Sequence, residues 1–393
     1  MRCIDVLQTA LRSELKKVHP ARLAAVWRVV TGVVLGGQLW LTALGRSLPG
    51  ATSDKHRIKA VDRLLGNAKL HGEMDGFYRA MASKVLKGIK TPIVAVDWTG
   101  LGANKCEISA KLCSDGRALP LYSRVFPKKS LANRQAHLEF LRGLARVLPD
   151  DCKPILVTDA GFHCGWFHDV AVHNWDYIGR VRGRTHVYLD KCWSSVQSLY
   201  RRARSRPQNL GMANMPRTKP SPHRLVLSKR PVMQGRKRLT RRGAPGQCTT
   251  DIKASKAARE PWLLATSLSC NAKCVVQLYG LRMQIEQSFR DRKSHRNGWS
   301  MSLASSRSCQ RMNVFCLLAS LAELAVQIVG RAVAGTVTAY QFQANTLRKR
   351  RVLSFFFLGC RAIQCEVPVG FERLRAALSA LVATIEKNAR IAA

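Results

Sequence analysis

The sequence predicts an α/β protein, on three observations. Two short apolar runs, Ile93-Val94-Ala95-Val96 and Ile155-Leu156-Val157-Thr158, are each followed by an acid, Asp97 and Asp159. Runs of that length and content suit buried central strands. The segment between them alternates with period two and then shifts to a helical period, while the flanks of the chain show helical periodicity throughout.

The elements follow in order. Residues 1–87 read as helical: Val6, Leu7 and Leu11 form one stripe, and Leu23, Val26, Val29 and Val30 the next. A short helix over 39–48, a turn over 49–52 and an N-cap at Ser53 lead into a helix over 55–65. That helix gathers Ile58, Val61, Leu64 and Leu65 on one face and carries Lys55, Arg57 and Lys59 elsewhere. The pattern fits a DNA-reading helix-turn-helix, and it fits an ordinary helical hairpin equally well.

After the strand ending in Asp97, Ile108, Ala110 and Leu112 alternate with polar residues. Ser114-Asp115-Gly116-Arg117 turns, and Leu119, Leu121 and Val125 complete a hairpin. Ala136, Phe140, Leu141, Leu144 and Leu148 mark an amphipathic helix. The strand ending in Asp159 comes next, then a helix over 166–173 and a strand over 177–181. This order describes a sheet of the ribonuclease-H type. Residues 182–259 hold twenty basic residues against Asp190 and Asp251, with much Ser, Pro and Gly. They read as a basic insertion carrying a few strands, such as 223–227, with a disordered basic loop as the alternative. A strand over 262–267, a long helix over 274–295 and a very apolar helix over 313–333 follow. The tail carries Lys349-Arg350-Arg351, a Phe355-Phe356-Phe357 cluster that suits a core or a dimer contact, and a helix over 371–389. The domains expected are a helical DNA-binding region over 1–87, a ribonuclease-H-like core over 88–190 and 259–335, the basic insertion over 191–258, and a helical C-terminal region over 336–393.

Charge narrows the function classes. The 65 Lys and Arg face 24 Asp and Glu, a formal net charge of +41. A polyanion is the expected partner, because counterion release favours binding to phosphate backbones. The 13 cysteines are scattered. Cys270 and Cys274 lack a second pair at zinc-site spacing, so buried free thiols in a reducing cytosol are expected. The apolar runs 29–45 and 313–329 fall short of the ~20 residues that span a bilayer, so no membrane association is expected.

The chemistry rests on three acids. Asp97 and Asp159 at strand ends would emerge at the same edge of a parallel sheet, where open α/β sheets place ligands. Glu286 lies mid-helix. Three convergent carboxylates bind hard divalent cations. Two such ions activate the attacking oxygen and stabilise the leaving one in phosphodiester displacement. On the expected helix Tyr279, Arg282, Glu286, Arg290 and Lys293 fall on one stripe, with cations placed to clamp phosphates beside the acid. Gly280 within that helix costs ~1 kcal/mol against Ala and reads as allowing close backbone approach.

The run Tyr279, Arg282, Glu286, Lys293, with two, three and six residues between, resembles the Y-R-E-K signature of the IS-four family of insertion-sequence transposases. Asp97 in Val-Asp-Trp and Asp159 in Thr-Asp-Ala-Gly-Phe are similar to that family's other two acids. The similarity extends to residues 58–67, 179–183, 260–262 and 342–346, and it looks closest to the insertion-sequence-ten type. The resemblance implies a ribonuclease-H-like core of the retroviral-integrase superfamily, with a β-rich insertion before the Glu helix. It implies two Mg²⁺ or Mn²⁺ ions on Asp97, Asp159 and Glu286, and DNA phosphate contacts by Tyr279, Arg282 and Lys293, to which the stripe adds Arg290. Trp262 matches a residue that stacks on a flipped base; a core Trp on a strand is the other reading. Nicking, hairpin formation, hairpin opening and strand transfer would follow, by a homodimer on double-stranded element ends and target, in a bacterial cytoplasm at the nucleoid. A ribonuclease-H-like nuclease and an inactive end-binding repressor are the alternatives.

Overall fold

The computed structural model describes residues 2–229, 260–294, 298–306, 308–344 and 351–392. The chain forms two compact units, Met1–Pro154 with Leu281–Arg390, and Ile155–Gly280 with Ile391–Ala393.

The first unit opens with five helices, α1 (Arg2–Leu11), α2 (Pro20–Gly36), α3 (Leu41–Arg46), α4 (Asp54–Leu65) and α5 (Ala68–Val85). Ser53 occupies the N-cap position of α4 as expected, but its hydroxyl bonds His56 Nδ1 at 2.7 Å and no helical amide. Gly45 lets α3 and α4 touch: a Cβ there would sit 2.6 Å from the Cα of Ile58. An antiparallel meander follows, β1 (Ile93–Leu101), β2 (Lys105–Leu112) and β3 (Leu119–Pro127), then α6 (Arg134–Val147). The hairpin expected around residues 114–117 is present between β2 and β3. β1 runs past its apolar half, so Asp97 is a mid-strand residue paired with Ser109 rather than a strand end. Backbone hydrogen bonds to β2 carry the strand on where burial stops.

The unit closes with α10 (Met283–Lys293), α11 (Cys309–Val333), α12 (Val337–Gln341), α13 (Phe355–Gln364) and α14 (Phe371–Ala389). α11 is the core of the unit. Met312 through Gly330 are all buried, and the helix packs against β3, α2, α5, α13 and α14. Gly330 and Gly359 bring α11 and α13 into backbone contact: a Cβ on Gly330 would lie 1.8 Å from the carbonyl oxygen of Phe355. α11 is long and apolar enough to cross a membrane, yet its apolar window is 100% buried within the protein. Phe355 and Phe356 are buried in the first turn of α13, a core role.

The second unit is built on a parallel pair, β4 (Ile155–Thr158) and β5 (Asp176–Val181), joined by α7 (Cys164–Val172). β10 (Trp262–Thr266) runs antiparallel to β5 and to β9 (Ser221–Ser228), which pairs with β8 (Gln208–Met215). β6 (His186–Leu189), β7 (Cys192–Ser195) and the short α8 (Val196–Tyr200) complete it, with α9 (Ala272–Leu281). The expected strand at 223–227 is the centre of β9. Residues 230–259 of the expected insertion, and the basic run at 349–350, lie outside the described residues. The Tyr177 hydroxyl and His223 Nδ1 share a hydrogen bond at 2.7 Å within this sheet, and burial holds the His223 pKa down to about 4.

The long helix expected over 274–295 is two helices, α9 and α10, with the break at Arg282. Arg282 itself keeps helical angles, φ −52° and ψ −33°, and helix-weakening Gly280 stands two residues before it. Among the described residues, a Cβ on Gly280 would meet nothing within 4 Å, so the close backbone approach expected there is not seen.

Candidate active site

The two acids of the first unit meet on one cation. Arg282 Nη2 donates to Glu286 Oε1 at 2.6 Å, and its Nη1 lies 3.4 Å from Asp97 Oδ2. Asp97 uses its other oxygen to accept the amide of Trp98 at 2.8 Å, which fixes the carboxylate against β1. Glu286 sits in the first turn of α10, where the helix dipole favours a carboxylate. It is one turn after Arg282, the spacing at which helical side chains pair.

The far end of α10 is anchored differently. Arg292 Nη1 donates to Glu107 Oε1 on β2 at 2.8 Å, and its Nη2 lies 3.3 Å from both Glu323 Oε2 and Ser320 Oγ on α11. Lys111 Nζ reaches Glu323 Oε2 at 3.2 Å. Burial raises the Glu107 carboxyl, but Arg292, the Ser109 hydroxyl and Lys111 outweigh it and hold the group below its ordinary value. Burial lowers the Lys111 ammonium, and Glu323 does not fully offset that. Two arginines therefore tie the Glu286 helix to neighbouring strands, Arg282 to β1 and Arg292 to β2. Sequence reasoning missed this second tie. The signal was Glu323, the one carboxylate in a long, mostly apolar helix, which demands a buried cation.

The other stripe residues divide. Arg290 is exposed and donates to Gln287 at 3.3 Å. Lys293 lies 5.8 Å over the Phe289 ring. Burial lowers its ammonium, while Glu107 and Asp97 attract it. Tyr279 belongs to the second unit, where it is buried with its ring edge-to-face on Trp262, centroids 4.7 Å apart. Trp262, the first residue of β10, is half-buried. Asp159 stands directly after β4 and accepts the Gly161 amide at 2.8 Å, the local cap of a turn. Beside it a cavity of about 280 Å³ is lined by Phe162, His163, Arg180, Arg182, Thr185 and Pro216. Arg182 is held by Glu260 at 2.5 Å. In the helical region Lys55 and Lys59 are exposed, whereas Arg57 donates to the Leu48 carbonyl at 2.8 Å and to Asp54, bracing the α3–α4 turn.

Among the described residues no group of three or more His, Cys, Asp or Glu side chains is gathered as a metal site. The donor chemistry of the Asp97–Glu286 pair nonetheless fits a hard divalent ion, since both donors are carboxylates and both already face a positive charge. Twelve described cysteines are free thiols. Cys3, Cys106, Cys113, Cys152, Cys274 and Cys316 are buried while Cys192 and Cys365 are exposed, so the burial expected of them holds for part of the set.

The profile of the transposase DDE domain family matches residues 89–322. No curated protein matches the chain. The matched stretch begins just before β1, ends within α11, contains Asp97, Asp159 and Glu286, and covers more than half of the 393 residues. On that match the chain belongs to the DDE transposases, enzymes of DNA transposition.

Proposed function

We propose that this transposase performs cut-and-paste transposition of an IS-four-type insertion sequence, with Asp97, Asp159 and Glu286 as its metal-binding acids on a ribonuclease-H-like core. DDE transposases use divalent metal ions; here the reading is two ions, Mg²⁺ or Mn²⁺. The observation that carries it is the meeting on a single cation of Asp97 and Glu286, two acids 189 positions apart in sequence. Bound ions would activate the attacking oxygen and stabilise the leaving one. Arg290 and Lys293, on the same helix as Glu286, neutralise phosphates next to the scissile bond. Tyr279 adds a hydroxyl contact and Trp262 a stacking surface for an unpaired base, a contact worth ~1–3 kcal/mol. Lys55, Arg57 and Lys59 support end binding through the helical region. The enzyme acts as a homodimer on paired element ends, in the cytoplasm at the nucleoid.

Incubation with a labelled element end and Mg²⁺ tests this reading. A nick followed by a hairpin product is expected; random cutting would indicate a nuclease, and retardation without cleavage a repressor. Asp97→Asn, Asp159→Asn and Glu286→Gln should each slow cleavage by about 10³-fold or more, because each removes a ligand worth several kcal/mol to the transition state. End binding should persist. Cleavage at an undiminished rate in any of the three removes that residue from the set.

A further inference from the structure

The guanidinium of Arg282 occupies the charge position that the proposed metal site requires. Its two terminal nitrogens face one oxygen of Asp97 and one of Glu286. A guanidinium is planar and forked, so one group reaches both carboxylates at once. Without a cation there, two acids would face each other on a partly buried surface, and like charges in that setting repel. The side chains differ in access: Arg282 is 9% exposed and Asp97 16%, but Glu286 is 43% exposed. The Glu286 contact is thus open to solvent and breakable, while the Asp97 carboxylate stays seated by the Trp98 amide.

From this geometry we infer that Arg282 is a positioning residue that stands in for the metal in DNA-free protein, and that metal entry displaces its guanidinium. The inference rests on Asp97 and Glu286 being metal ligands, as proposed above. Arg282 keeps the pair of carboxylates together before the ion arrives, and it competes with the ion for both. Departure of the guanidinium frees a forked cation beside the acids, where it can take a phosphate oxygen of the bound end. Metal affinity and DNA binding then support each other, since whatever draws Arg282 away lowers the cost of metal entry.

Titration of the full-length, DNA-free protein with Mn²⁺, with free ion read by electron paramagnetic resonance, tests the inference without measuring activity. Arg282→Gln should bind Mn²⁺ at least about tenfold more tightly than the parent protein, a difference of ~1.4 kcal/mol. Adding Asp97→Asn and Glu286→Gln to that variant should abolish the gain. Arg282→Lys, which keeps the charge but not the fork, should fall between and covers the case in which the glutamine variant does not fold. Affinity unchanged or weakened in the folded Arg282 variants would overturn the inference, as would a gain that survives loss of both acids. If Asp97→Asn and Glu286→Gln in the parent protein leave Mn²⁺ binding intact, the metal assignment itself fails and the stand-in role with it. Loss of binding in those two variants with no gain in Arg282→Gln would overturn the stand-in role alone.

Discussion

Two arginines ten positions apart, Arg282 and Arg292, each bridge a pair of carboxylates, and they do so in opposite surroundings. Arg292 is 2% exposed, with Glu107 and Glu323 at 0% and 2%. Arg282 shares its charge between two acids that water reaches, Glu286 most of all. Burial disfavours the Arg292 cation, but Glu107 and Glu323 outweigh it and push the guanidinium above its ordinary value. No cation from solution can replace a group sealed on every side. The open pair presents carboxylates that solvent reaches. One bridge is therefore suited to fixing the seat of α10, and the other, on the inference above, to giving up its guanidinium while the helix stays in place.

The largest effect that separates the two is on stability. Arg292→Met leaves Glu107 and Glu323 buried, with Lys111 and Lys293 as the cations still acting on Glu107. Breaking a buried pair in this way costs about 3–5 kcal/mol. Arg282→Gln strands carboxylates that water can solvate, and about 1 kcal/mol is expected. Urea unfolding monitored by circular dichroism measures both. Equal losses in the two variants would erase the distinction between a sealed bridge and an open one.

A smaller effect sharpens the sealed side. Lys111→Met also removes a buried charge, but Glu323 keeps its contact with Arg292, and burial already holds the Lys111 ammonium below its ordinary value. The loss should be about 1.5–3 kcal/mol, that of a hydrogen bond to a charged group. A loss as large as that of Arg292→Met would mean that the cluster fails as a unit, with no hierarchy among its members.

How much of this was legible in the sequence differs between the same two regions. Asp97, Arg282 and Glu286 are singled out by strand pattern and motif spacing, with the two acids expected to share metal ions with Asp159 and Arg282 expected to face phosphate rather than the acids. That Asp97 lies mid-strand was not legible, because the apolar run that betrays a strand ends where its burial ends, at Val96, while the hydrogen-bonded ladder runs on to Leu101. The break at Arg282 was hidden for a similar reason: the side-chain period continues across a residue whose angles stay helical. The sealed cluster was the least legible. Glu107 and Lys111 alternate with apolar neighbours as solvent-facing strand residues do, and only the packing of α11 against the meander turns that face inward. Secondary structure follows from local pattern; which polar face is covered depends on elements more than 180 residues away.

Acid titration gives the smallest effect and the finest separation. Glu107 sits below its ordinary value of 4.5, so in the folded parent protein it holds its proton less tightly than in the unfolded chain. Its stabilisation is complete above that value and is lost as pH falls through the depressed folded one. In Arg292→Met the strongest opposing attraction is gone and burial, the largest cause, acts against weaker partners. The folded value then rises, the folded state binds the proton more readily than the unfolded chain, and acidification favours folding at this residue. The stability gap between parent and variant should narrow as the pH falls from 6 to 4. Thermal unfolding across that range measures it, with acid effects common to both proteins cancelling in the difference. A gap that stays constant or widens would show that Arg292 is not what keeps the Glu107 carboxylate charged, and the two arginines would then differ only in exposure, not in what they hold.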